Sequence, residues 1–69
     1  MYKQVSIDNE VVNVVKVKAI QNNGAWLNIY VDNKDNIGTP VACHTLPKAW
    51  FDDNEKSVIK TGGKEYKNI

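Results

Sequence analysis

The sequence predicts a mainly β fold: a small barrel of five or six strands with one short helical turn. Residues 10–20 are dense in valine (Val11, Val12, Val14, Val15, Val17), and β-branched side chains favour strands over helices. Residues 24–32 alternate, with Ala25, Leu27, Ile29 and Val31 on one face and Trp26, Asn28, Tyr30 and Asp32 on the other. Asp, Asn and Gly punctuate the chain at short intervals. With 69 residues in all, residues 1–69 make one domain.

Each element follows in order. Residues 2–8 alternate, with Val5 and Ile7 inward, and form a first strand that ends in a turn at Asp8-Asn9. Residues 10–20 and 24–32 form a hairpin around Asn22-Asn23-Gly24. A two-residue Asn23-Gly24 turn would set Lys18 against Ile29 and Lys16 against Val31, driving lysines onto the apolar face. A three-residue loop instead pairs Ala19 with Leu27, Val17 with Ile29 and Val15 with Val31, with Gly24 in a left-handed conformation. A one-residue slip inverts every side chain, so burial selects the second register. It gathers Lys16, Lys18 and Ile20 with Trp26, Asn28 and Tyr30 on the opposite face. There Lys16 lies across from Tyr30, and Lys18 across from Asn28.

A polar loop over residues 32–36 leads to a strand over about residues 38–46. Pro40 places the start of that strand at an edge or at its first residue. Pro47 suits the first position of a short helix, with Lys48-Ala49-Trp50-Phe51 as one turn and Asp52-Asp53-Asn54 ending it. Residues 57–61 and 64–68 form a last pair of strands around Gly62-Gly63. Such a set fits a closed or half-closed barrel, SH3-like or of the oligonucleotide/oligosaccharide-binding (OB-like) kind. Trp50 and Phe51 would plug its open end.

Composition narrows the function. A chain this short buries only about 60% of its unfolded surface, so a deep active-site cleft is hard to build. The lone Cys43 cannot form an internal disulfide, and no apolar run has the length of a signal peptide or membrane span. A reducing, cytoplasmic setting without membrane attachment is expected. Nine lysines against eight carboxylates leave a net charge of +1, and there is no Arg. A strong basic field is absent, and so is the bidentate side chain that reads guanine and phosphate, which disfavours sequence-specific duplex binding.

No constellation for catalysis or metal binding emerges. Cys43 and His44 are adjacent on a strand and point to opposite faces, so they cannot form a dyad; a buried structural Cys and a partly exposed His are expected. One Cys and one His fall short of a structural zinc site. Residues 32–38 are superficially like a calcium loop, but Lys34 and Ile37 stand where an oxygen ligand and a glycine are needed. A solvated hairpin loop is expected there. Asp52, Asp53 and Glu55 form a helix stop or an acidic patch for a basic partner. Thr61-Gly62-Gly63-Lys64 lacks the spacing of a phosphate loop and reads as a turn. No catalytic residue, metal or cofactor is expected.

The remaining candidate is the face carrying Lys16, Lys18, Trp26, Asn28 and Tyr30. Trp and Tyr dominate protein interfaces, and aromatics flanked by lysines also make stacking platforms for single-stranded nucleic acid. The competing expectation is that Trp26 and Tyr30 pack beneath the terminal strands or the Trp50-Phe51 plug.

Residues 14–53 resemble small phage and bacterial β domains, mostly of unassigned function. In those, a hairpin leads to a strand ending in Leu/Ile-Pro-Lys and one helical turn, matched here by Leu46-Pro47-Lys48-Ala49-Trp50. Thr45 stands where an aromatic residue is common. The resemblance implies a small barrel and, with the Lys- and Asn-rich, Arg-free composition, a phage or mobile-element origin. The resulting expectation is a non-enzymatic binder, such as a phage-encoded inhibitor or modulator of a host protein in the host cytoplasm. The alternatives are a single-stranded nucleic-acid binder and a homo-oligomeric module in which barrel edges pair between copies.

Overall fold

Six antiparallel strands and one helical turn make up the computed structural model, which describes residues 2–20, 24–53 and 55–69. The elements are β1 (Lys3–Ile7), β2 (Glu10–Ala19), β3 (Trp26–Val31), β4 (Ala42–Pro47), α1 (Lys48–Phe51), β5 (Val58–Thr61) and β6 (Lys64–Asn68). They form a single sheet in the order β4-β3-β2-β1-β6-β5. The first four strands are an up-and-down run, and the last hairpin docks back against β1.

The turns follow from residue type. Asp8 and Asn9 both take positive φ, 49° and 68°, which is the two-residue turn whose twist matches that of the strands it joins. Asn tolerates this conformation, and the Asp8 carboxylate is held in place by the N–H of Glu65 at 2.8 Å. Gly24 has φ +70°, as the expected β2–β3 loop requires, while Asn22 and Asn23 lie outside the described residues.

The β2–β3 register agrees with the expectation along its loop-proximal part: Ala19 pairs with Leu27, Val17 with Ile29, Lys18 with Asn28 and Lys16 with Tyr30. Beyond that point it departs. Val14, not Val15, pairs with Val31, and Val15 is the extra residue of a β-bulge. The bulge resolves a conflict of parity. Val12 and Val14 are buried, Val17 packs against the same core, and the steps from Val14 to Val17 are odd in number. A strand with period two cannot turn all of them inward without one extra residue.

Sheet curvature builds the core. β4 and β6 are separated by three strands, so in a flat sheet they would stand about 19 Å apart. Instead His44 Nδ1 on β4 lies 2.8 Å from the Tyr66 hydroxyl on β6. The sheet is therefore curled into a half-barrel around Val5, Val14, Ile29 and Leu46, all fully buried. The helical turn closes one end, as expected. Trp50 and Phe51 are buried, Trp50 meets Tyr66 edge-on at 6.2 Å, and its indole N–H donates to the Ser57 carbonyl at 3.2 Å. Asn68, also buried, donates to the Trp50 carbonyl at 2.8 Å.

Three expectations need correction here. The fourth strand begins at Ala42 rather than near Gly38, because residues 38–40 belong to the loop and pairing starts with the Val41 N–H on Val31. Pro47 is the last residue of β4 and the extended N-cap of α1 (φ −62°, ψ 133°), not its first helical residue. Asp32 is not a solvated loop residue. It is buried, and its carboxylate accepts from the N–H and Nδ2 of Asn13 and from the N–H of Gly38.

Candidate functional site

The outer face of β2, β3 and β4 is laid out in three rows by the strand register. Lys16, Tyr30 and Cys43 form the first, Lys18, Asn28 and Thr45 the second, and Ile20, Trp26 and Pro47 the third. All five residues expected on one face, Lys16, Lys18, Trp26, Asn28 and Tyr30, are on it. The structure adds Cys43, Thr45 and Pro47 from β4. Strand parity counted back from Leu46 carries the signal for these three, since Leu46 points inward and Thr45 and Cys43 alternate with it and with His44.

Packing does not consume the aromatics of this face. Trp26 is 47% exposed and Tyr30 is half-buried, because the plug and the terminal hairpin lie elsewhere: Trp50 and Phe51 fill the concave side. Tyr30 is instead flanked within its own row. The Lys16 ammonium sits 5.2 Å from its ring centroid, and Cys43 is its cross-strand neighbour. The Tyr30 phenol is held above its ordinary range, first by the charge Cys43 would carry as a thiolate, then by hydrogen bonding to Cys43 and by burial. One row over, the Thr45 hydroxyl donates to Asn28 Oδ1 at 2.7 Å. The outer positions of these three strands carry two lysines and no carboxylate.

Cys43 is exposed, contrary to the expected buried structural thiol. The reason is again parity: it shares the outer face with Tyr30, leaving the inner position to His44. That imidazole is partly buried, lies edge-on to Tyr66 at 5.4 Å, and is held below its ordinary pKa of 6.5, first by burial and then by the Lys64 charge.

The acidic residues near α1 do not converge on one site. Asp52 caps the turn and its carboxylate pairs with Lys48. The Asp53 carboxylate accepts from the Glu55 N–H at 2.9 Å, and Glu55 is exposed. Lys3, a residue to which the sequence alone assigns no role, covers the plug instead. Its ammonium donates to the Phe51 carbonyl and lies 4.4 Å from the Phe51 ring centroid, and burial lowers its pKa despite the opposing charges of Asp52 and Asp53.

At the end of the half-barrel away from the plug, a shallow concavity of about 470 Å³ is lined by Ile7, Val12, Val31, His44 and Lys64, among others. Among the described residues, no three His, Cys, Asp or Glu side chains cluster as metal ligands would, and no helix is long and apolar enough to cross a membrane.

Comparison with protein-family models, curated proteins and solved structures found no match to this chain.

Proposed function

We propose that this protein is a small non-enzymatic binding module whose outer β2–β3–β4 face engages a protein partner. The observation that carries the reading is Trp26, 47% exposed on an ordered strand and flanked by Tyr30, Asn28 and two lysines. Exposing a large aromatic on a regular sheet leaves apolar surface in water, and such residues are the common anchors of protein interfaces. The absence of carboxylates from the outer positions of the same three strands favours a partner surface that is acidic around an apolar centre. The resemblance and composition fit a phage-encoded modulator of a host protein, acting in the host cytoplasm.

Single-stranded nucleic acid is the second reading, favoured by Lys16 and Lys18 beside the aromatics. Against it, the Lys16 ammonium already occupies the Tyr30 ring face on which a base would stack.

Affinity capture with the wild-type chain, followed by mass spectrometry, should recover a protein partner. Trp26→Ala and Tyr30→Ala should each lose it while keeping the β-sheet circular dichroism signal. A chain that captures nothing but shifts a single-stranded oligonucleotide, with affinity falling steeply in salt, would overturn the protein reading in favour of the second.

A further inference from the structure

The two edges of the sheet are built differently. Natural sheets blunt exposed edges with short strands, lysines, bulges or Pro, because an open row of N–H and C=O groups templates pairing with another chain. β5 is guarded: it is four residues long and carries Lys60. β4 is not. It runs for six residues, Ala-Cys-His-Thr-Leu-Pro, with no Lys, Arg, Asp or Glu, and pairs with β3 through six successive positions without a bulge. Only Pro47, at its last position, interrupts the edge. Ala42, Cys43 and Thr45 are exposed along it.

We propose that two copies of this chain pair through β4, antiparallel about a two-fold axis at His44. The strand is self-complementary in that register. Just beyond the ends of the paired strands, the Lys48 N–H donates to the carbonyl of Ala25, the residue before β3, at 2.8 Å, which fixes which backbone groups face inward along the ladder. Counting back by twos, Leu46 and His44 also face β3, so the N–H and C=O groups of Cys43 and Thr45 face away from the sheet. Pro47 takes the next outward position, where its missing N–H leaves no β3 bond unmade. About the axis, Cys43 of each copy exchanges two hydrogen bonds with Thr45 of the other, four in all.

Electrostatics permits the arrangement. The strand brings no Lys, Arg, Asp or Glu side chain to the axis, and burial and then the Lys64 charge disfavour the protonated form of His44. The cationic rows sit on β2, about 24 Å from their equivalents in the second copy, well beyond the screening length of about 8 Å. A second copy brings the same uncharged strand. Of the registers centred on Cys43, His44 or Thr45, only the one centred on His44 pairs every outward N–H and C=O of Cys43 and Thr45, because Pro47 has no N–H and the Val41 N–H is taken by the Val31 carbonyl. The pairing would merge two outer faces into one surface carrying two Trp26 side chains. It does not depend on the proposed protein partner and is measured on the protein alone.

The test is sedimentation equilibrium or light scattering of the full chain in reductant, from about 1 µM to 1 mM. The mass should rise toward twice the 7.8 kDa chain mass. Over the same range, hydrogen exchange at the Cys43 and Thr45 amides should slow while the β5 amides stay unchanged. Thr45→Lys should remain monomeric with an unchanged sheet spectrum, and the wild-type exchange data decide the matter if that variant fails to fold. A monomeric mass throughout would overturn the proposal. So would a dimer that Thr45→Lys leaves intact, one protected at β5 instead, or one that forms only without reductant and so reflects Cys43 oxidation.

Discussion

The Tyr66 hydroxyl lies 2.8 Å from His44 Nδ1, joining β6 to β4 across the hollow of the curled sheet. This bond spans strands that share no backbone ladder, so it reports curvature directly. Tyr66→Phe keeps the ring against Trp50 and removes only the hydroxyl; it should cost about 1 kcal/mol in urea unfolding. Tyr66→Ala also empties the space beside Trp50 and should cost about 3–5 kcal/mol. Equal losses from the two variants would show that the hydroxyl, not the ring, carries the stabilisation.

The His44 imidazole gives stability a pH dependence of definite sign. Its folded pKa lies below the ordinary 6.5 because burial and Lys64 oppose the charged form. As pH falls below 6.5 the unfolded chain takes up a proton before the folded one does. The contribution is therefore complete above pH 6.5 and is lost progressively as pH drops toward the folded value. Urea midpoints between pH 7.5 and 5 should fall in the wild type, and His44→Gln should flatten that slope. A midpoint that climbs on acidification would contradict the sign.

The Val15 bulge makes a sharper test of register. Deleting Val15 leaves Val14 opposite Val31 and Lys16 opposite Tyr30, now as consecutive pairs. The protein should still fold with the same residues inward and outward, but with less local twist. Nuclear Overhauser contacts between Ile29 and Val17 should survive the deletion, while those between His44 and Tyr66 weaken. A shift of Lys16 or Lys18 to the inner face would disprove the account.

Much of this architecture can be read from residue order, and its limits have physical causes. Alternation through residues 24–32 locates β3, and the apolar partners of Leu27 and Ile29 locate β2 opposite it. The same reasoning gathers Lys16, Lys18, Trp26, Asn28 and Tyr30, because all five lie on the loop side of the bulge, where period two is unbroken. The bulge itself is hidden in a valine run whose members are interchangeable by type, so Val15 cannot be singled out locally. Whether Trp26 is covered depends on where the chain's distant end docks, and that is a non-local outcome. Asp32 escapes for a related reason: its partners are Asn13 on a neighbouring strand and the backbone of Gly38.

That carboxylate leads to a further prediction. Donation from the Gly38 N–H first, and then from the Asn13 side chain and backbone, holds Asp32 below its ordinary pKa of 3.8. Its contribution should be fully present above pH 3.8 and lost as pH falls through the depressed folded value. Asp32→Ala removes the shared acceptor, so the amides of Asn13 and Gly38 should exchange faster and the loop over residues 33–41 should become more accessible to protease. If both amides stay protected in the variant, another acceptor holds them.

The docking of the last hairpin has a consequence for how the molecule opens. β1 meets β2 through five aligned pairs but meets β6 through three: Val5 with Asn68, Ser6 with Lys67 and Ile7 with Tyr66. The four-strand run is sequence-local, whereas the β1–β6 seam joins opposite ends of the described chain. Brief excursions from the native state should therefore start with β5 and β6 lifting away together as a flap. That motion uncovers the Trp50 indole, whose N–H contact runs to Ser57, the residue just before the flap. Its fluorescence would report an opening that leaves the Trp26 face untouched.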